Sequence, residues 1–119
     1  MGTFSVKVTI RNLGDPAREA TLECLVDTGA TYSQAPRSLL VELGITPFAE
    51  RPVLLADGRE TTCQLGMAEF LCDDRRTPAI VVFAEDPAPA LLGAMTLEGW
   101  GLGVDPTRKR LVPIVVPMA

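Results

Sequence analysis

The stretch CLVDTGATYS, residues 24–33, decides how this sequence is read. Leu25 and Val26 are consecutive apolar residues, as in a strand entering a region buried on both faces. Asp27-Thr28-Gly29 follows directly. A carboxylate at the end of a buried strand is desolvated, and a glycine two residues later lets ligand or backbone approach closely. The threonine hydroxyl between them can bond to neighbouring main chain and lock the loop. Such a loop holds a carboxylate rigidly, and the chain carries it once.

Working outward, residues 3–10 alternate, with Phe4, Val6, Val8 and Ile10 on one face and Thr3, Ser5, Lys7 and Thr9 on the other, the pattern of a half-buried strand. Asn12-Leu13-Gly14-Asp15-Pro16 supplies turn chemistry, and alternation resumes at Ala20, Leu22 and Cys24, so the first two strands form a hairpin. Pro36, Leu39, Leu40, Leu43 and Gly44 predict a short helix over 36–43. Val53-Leu54-Leu55, Asp57-Gly58 and a stretch from Thr61 to Leu65 predict a hairpin with its tip near Gly58. A further pair is expected at 67–72 and 77–83, joined by the turn Asp73-Asp74-Arg75-Arg76. The proline-rich stretch 84–90 reads as a loop. Leu91-Leu92-Gly93, a helical piece over 94–98 and a strand over 102–104 follow it. Pro113 makes the closing apolar segment, 111–116, an edge or interface strand.

At 119 residues, with ten Pro and ten Gly, the chain suits one domain, 1–119, of short strands. A net charge of -4 argues against nucleic-acid binding, and Arg108-Lys109-Arg110 reads as a solvated turn between strands. No apolar run is long enough to span a bilayer and residues 1–20 lack a secretory pattern, so a soluble, cytoplasmic protein is expected. The three cysteines have no metal-ligand spacing; Cys24 falls on an apolar face, and Cys63 near the hairpin can be exposed. Gly99-Trp100-Gly101-Leu102-Gly103 lacks the context of a nucleotide loop and reads as a turn with Trp100 in the core. The absence of histidine removes Ser-His-Asp and Cys-His catalysis and His-bearing zinc sites.

One rigid carboxylate is poor equipment for hydrolysis, which needs one group to take a proton from water and another to give one to the leaving group. Two carboxylates a few ångström apart do both, because repulsion keeps them from ionising together. With a single Asp-Thr-Gly, the second must come from another molecule.

The apolar lead Leu25-Val26, the loop Asp27-Thr28-Gly29-Ala30, the Asp57-Gly58 hairpin and Leu91-Leu92-Gly93 before a short helix resemble, in order and spacing, the retropepsin-like aspartic proteases. The resemblance covers nearly the whole chain. It implies an all-β, closed barrel with one or two short helices, acting as a homodimeric aspartic endopeptidase without metal or organic cofactor on extended peptides or proteins. It makes Asp27 the catalytic aspartate, one per subunit, and Thr28 a brace across the dimer axis. Gly29 and Ala30 complete the loop, and Ala56, Asp57, Gly58 and Arg59 form the tip of a flap over substrate. Leu91, Leu92 and Gly93 form the apolar segment behind the loop. Retroviral members commonly pair an acidic residue after this loop with a basic one after Leu-Leu-Gly. Here those positions hold Thr31 and Ala94, so the dimer must be held by other contacts. Two rivals are a peptide-binding and dimerisation module that keeps this fold without hydrolysis, and a thiol-dependent protein.

Overall fold

The computed structural model describes residues 3–119. Strand β1 (Ser5–Arg11) and strand β2 (Glu19–Val26) form the expected hairpin, registered from Ser5 opposite Leu25 to Arg11 opposite Glu19. Its turn is held by Asn12, whose Oδ1 accepts from the amides of Gly14 and Asp15 at 2.8 and 3.0 Å. Alternation places Val8, Ile10, Cys24 and Val26 inside, as the period of two requires.

Strand β3 (Ser33–Pro36) leads into helix α1 (Arg37–Glu42), strand β4 (Ala49–Leu54) and strand β5 (Glu60–Cys72). Strand β6 (Arg75–Ala84), strand β7 (Leu91–Leu92), helix α2 (Ala94–Trp100), strand β8 (Leu102–Asp105) and strand β9 (Arg110–Pro113) complete the chain. Seven strands share one sheet in the order β1-β2-β7-β3-β6-β5-β4. Strand β1 also pairs with β5, setting Thr9, Ile10 and Arg11 opposite Leu71, Phe70 and Glu69, so six strands close into a barrel and β4 stays outside on β5. Closure leaves few unpaired edges.

The interior is filled by one apolar cluster that includes Ile10, Phe70, Val81, Phe83 and Leu92. Helix α2 closes one end of it: Trp100 is buried, and its Nε1 donates to the Phe70 carbonyl at 2.9 Å. Strands β8 and β9 form a separate hairpin, tied to the helix by the Ile114 amide on the Gly101 carbonyl at 2.9 Å. The cluster Arg108-Lys109-Arg110 lies at its turn, where Asp105 Oδ1 accepts from the amides of Thr107 and Arg108.

Several local expectations change, and the closing strand expected over 111–116 runs only from Arg110 to Pro113 as β9. The stretches expected as separate strands at 61–65 and 67–72 are one continuous strand, because Gly66 serves packing rather than a break: a Cβ there would lie 3.0 Å from both Ile45 Cγ2 and Phe83 Cε1. Strand β4 begins at Ala49, earlier than expected. Bonding of the Leu55 amide to the Arg59 carbonyl sets the phase of the antiparallel pair, and on that phase Pro52 faces the free edge, where its missing N–H costs nothing. Pro36 caps α1 from outside the helix as the last residue of β3, a strand not foreseen. Trp100 ends a helix rather than sitting in a turn, with Gly101 at φ 71° as the left-handed cap.

Candidate active site

Asp27 follows the last residue of β2, and the neighbouring strand β7 fixes where it stands. Strand β7 lies between β2 and β3, parallel to the first, with Leu25 opposite Leu91 and Val26 opposite Leu92. The Asp27 amide continues this ladder by donating to the Leu92 carbonyl at 2.9 Å. The chain then turns: the Ala30 amide donates to the Asp27 carbonyl at 3.2 Å, and the Gly29 amide donates to Asp27 Oδ1 at 3.0 Å. One carboxylate oxygen is thereby held by its own loop.

The expected lock by Thr28 is absent. Thr28 is exposed and makes no hydrogen bond among the described residues, and the loop is braced from behind instead. The amides of Ala94 and Met95, at the start of α2, donate to the carbonyls of Ala30 and Thr31 at 2.7 and 3.1 Å. Those main-chain bonds join the segments that carry Thr31 and Ala94, the two positions without an ion pair. Ser33, fully buried, accepts from the Gly93 amide at 3.0 Å and shares a 2.6 Å hydrogen bond with the buried Thr96 hydroxyl. Gly93 permits this contact, since a Cβ there would stand 2.4 Å from the Tyr32 carbonyl oxygen and 2.8 Å from that of Ala30. Ser33 and Thr96 escaped the sequence reading, because β3 was not foreseen and the two hydroxyls meet across 63 residues of chain.

Asp27, Thr28 and Leu91 line a cavity of about 540 Å³ whose other walls include Phe4, Leu25 and Val104. Asp27 is partly exposed there, less enclosed in one chain than its place after a buried strand suggested. Ala30, Leu92 and Gly93 form the back of the loop and lie outside the cavity. A second hollow, of about 490 Å³, lies between β1 and the β8–β9 hairpin and contains Lys7, Cys72, Asp73 and Arg110, but nothing of the Asp-Thr-Gly loop. Among the described residues, no three Cys, Asp or Glu side chains converge as metal ligands would.

The residues Ala56, Asp57, Gly58 and Arg59 are brought together at the exposed tip of the β4–β5 hairpin, outside the Asp27 cavity of the single chain. The Gly58 amide donates to the Leu55 carbonyl at 3.0 Å, with Gly58 at φ 89°. Asp57 accepts from the Arg59 amide at 3.0 Å and from its Nε at 2.7 Å. These bonds, the amide's first, hold the Asp57 carboxyl below its ordinary value. Burial pushes the Cys24 thiol up to about 12 and also raises that of Cys72, so both are protonated and unreactive at neutral pH.

A model of the family described as aspartyl protease matches residues 6–96, more than half of the chain. The chain belongs to the aspartyl protease family. Its fold is retropepsin-like. The simian foamy virus (mac) protease superposes with a TM-score of 0.56 at 19% identity, over 80% of this chain and 92% of that one. A retropepsin-like aspartic protease from Rickettsia conorii gives 0.55 at 20% identity, over 87% and 85%. The foamy viral protease-reverse transcriptase, solved in complex with an RNA/DNA hybrid, gives 0.56 at 14% identity, over 96% of this chain and 13% of that longer one. No curated protein matches in sequence.

Proposed function

We propose that this retropepsin-like protein is an aspartic endopeptidase whose catalytic pair is Asp27 and Asp27 of the partner subunit. The observation that carries the reading is the Asp27 loop: a single carboxylate, gripped by the Gly29 amide and the β7 ladder, stands partly exposed in an apolar-walled cavity. Two such loops brought together share one proton. The ionised carboxylate takes a proton from a water as its oxygen attacks the scissile carbonyl carbon, and the protonated carboxyl gives its proton to the developing oxyanion. Collapse of the tetrahedral intermediate breaks the C–N bond: the amine leaves with a proton from the dyad while a hydroxyl of the intermediate returns its proton to the dyad, giving the acid and restoring the shared proton. An extended peptide would lie along the cleft by strand-like main-chain bonds, with alternate side chains against apolar walls such as Leu25 and Leu91. The β4–β5 hairpin would fold over it as the flap.

The test is cleavage of a diverse peptide library from about pH 3 to 8, comparing wild type with Asp27→Asn. The substitution is expected to reduce cleavage by about 10³-fold, the scale of general acid–base catalysis, while sedimentation still reports a dimer. Activity should fall at both ends of the pH range, as the dyad gains or loses its shared proton. A rate still rising above about pH 9 contradicts the mechanism. A dimer that binds peptides and cuts none would favour the binding module instead.

A further inference from the structure

Strands β5 and β6 run side by side from the Cys72–Arg75 pair up to Leu65 opposite Val82, and there they part. Beyond Leu65, β5 pairs only with β4 and becomes the projecting hairpin. Beyond Val82, β6 pairs only with β3, as far as Pro36 opposite Ala84, and then opens into residues 85–90. A fork therefore separates the hairpin from the segment that delivers Leu91 to the Asp27 cavity. The residue that follows Pro36 is Arg37, and its guanidinium fills the fork. Its Nη1 donates to Gln64 Oε1 on the hairpin branch, its Nε donates to Glu85 Oε1 at 2.6 Å on the other branch, and its Cζ lies over the Phe83 ring, 5.4 Å from the centroid. The far end of residues 85–90 is pinned separately, by Gln34 Nε2 donating to the Pro89 carbonyl at 2.8 Å and by the Leu25 amide on the Ala90 carbonyl at 2.9 Å.

We infer that Arg37 is a positioning residue that clasps the base of the β4–β5 hairpin to residues 85–90, so that these two borders of the cleft move together. The functional part of this inference rests on the endopeptidase reading; the clasp itself does not. An isolated ion pair with Arg37 and Glu85 38% and 73% exposed contributes little. The rigid guanidinium fork is different, because it reaches acceptors on both branches while its charge lies over an aromatic ring. A lysine at 37 supplies the charge but not the two directed donors.

The experiment compares wild type, Arg37→Met and Arg37→Lys by hydrogen exchange and by peptide cleavage. The reporters are the bonded amides of Leu55 and Gly58 on one branch and Ala88 on the other, with the Asp27 amide as the internal control. Arg37→Met should speed exchange at all three reporters by about two- to fivefold, the range set by the loss of exposed, directed pairs, and leave Asp27 unchanged. Arg37→Lys should behave like Arg37→Met. In cleavage, KM should rise by a similar factor with kcat within about twofold, as expected for lost positioning rather than lost chemistry. Exchange unchanged in Arg37→Met, exchange altered on one branch only, equal acceleration at Asp27, or wild-type behaviour in Arg37→Lys would each overturn the clasp. If wild type cuts no peptide while the three reporters respond together, the endopeptidase reading fails and the clasp stands. If Asp27→Asn abolishes cleavage while the reporters stay silent, the reverse holds.

Discussion

Cys24 lies two residues before the Val26–Asp27 junction, fully buried, with its thiol raised to about 12 from an ordinary 9.0. An unfolded Cys24 loses its proton near pH 9 while the folded one keeps it, so the neutral thiol favours the native state fully below pH 9.0 and loses that advantage as pH rises toward 12. Urea unfolding across that range should show wild type losing stability relative to Cys24→Ala as pH rises; parallel curves for the two proteins would refute the linkage. At this scale the role proposed for Asp27 was readable only from the loop taken with the segments that follow it, since Asp and Gly alone abound in turns. Those of Ser33 and Arg37 were not. The role of each depends on partners 60 and 48 residues away, Gly93 and Glu85, and no local pattern announces such pairs.

Hairpins are where local chemistry speaks most clearly, and the β4–β5 unit was visible from Asp57-Gly58. Its extent was not: the apolar run that marked it begins at Val53, whereas the strand starts at Ala49 and the ladder phase puts Pro52 on the side with no hydrogen bond to lose. Nor was the continuity of β5 through Gly66 visible, since the contacts that call for a glycine there come from Ile45 and Phe83, elsewhere in the chain. Within the turn, Asp57 is held below its ordinary 3.8 by the Arg59 amide and side chain. A lowered carboxyl supports the folded turn above its unfolded value and withdraws that support as pH falls through the folded one. Below about pH 3.8 the Arg59 amide should therefore lose its partner progressively, shifting its resonance and speeding its exchange, with no such transition in Asp57→Asn. An Arg59 amide indifferent to acid would refute the assignment.

For the whole molecule, the hairpins were legible from alternation and turn residues and the short helices from Pro, Leu and Gly spacing, but β3 and β7 were not, and closure was implied only by the family resemblance, since the β1–β5 pairing joins residues about 60 positions apart. Phe70 sits on that seam, fully buried beneath the Trp100 indole that bonds its carbonyl. Phe70→Ala should cost about 3–5 kcal/mol, measured by denaturant unfolding, because the closed wall cannot collapse onto the void. A loss under about 1 kcal/mol would mean that the seam repacks freely. The threading of β7 carries a last consequence, for the protein's biosynthesis. Its two residues lie between β2 and β3, strands made long before it, and the Asp27 loop takes its bracing from Leu92, Gly93, Ala94 and Met95. A ribosome releases those residues only about 65 positions after Asp27 itself. Until then the aspartate hangs on an unbuttressed turn, so the growing polypeptide is unable to assemble its cleft before β7 and the start of α2 have emerged.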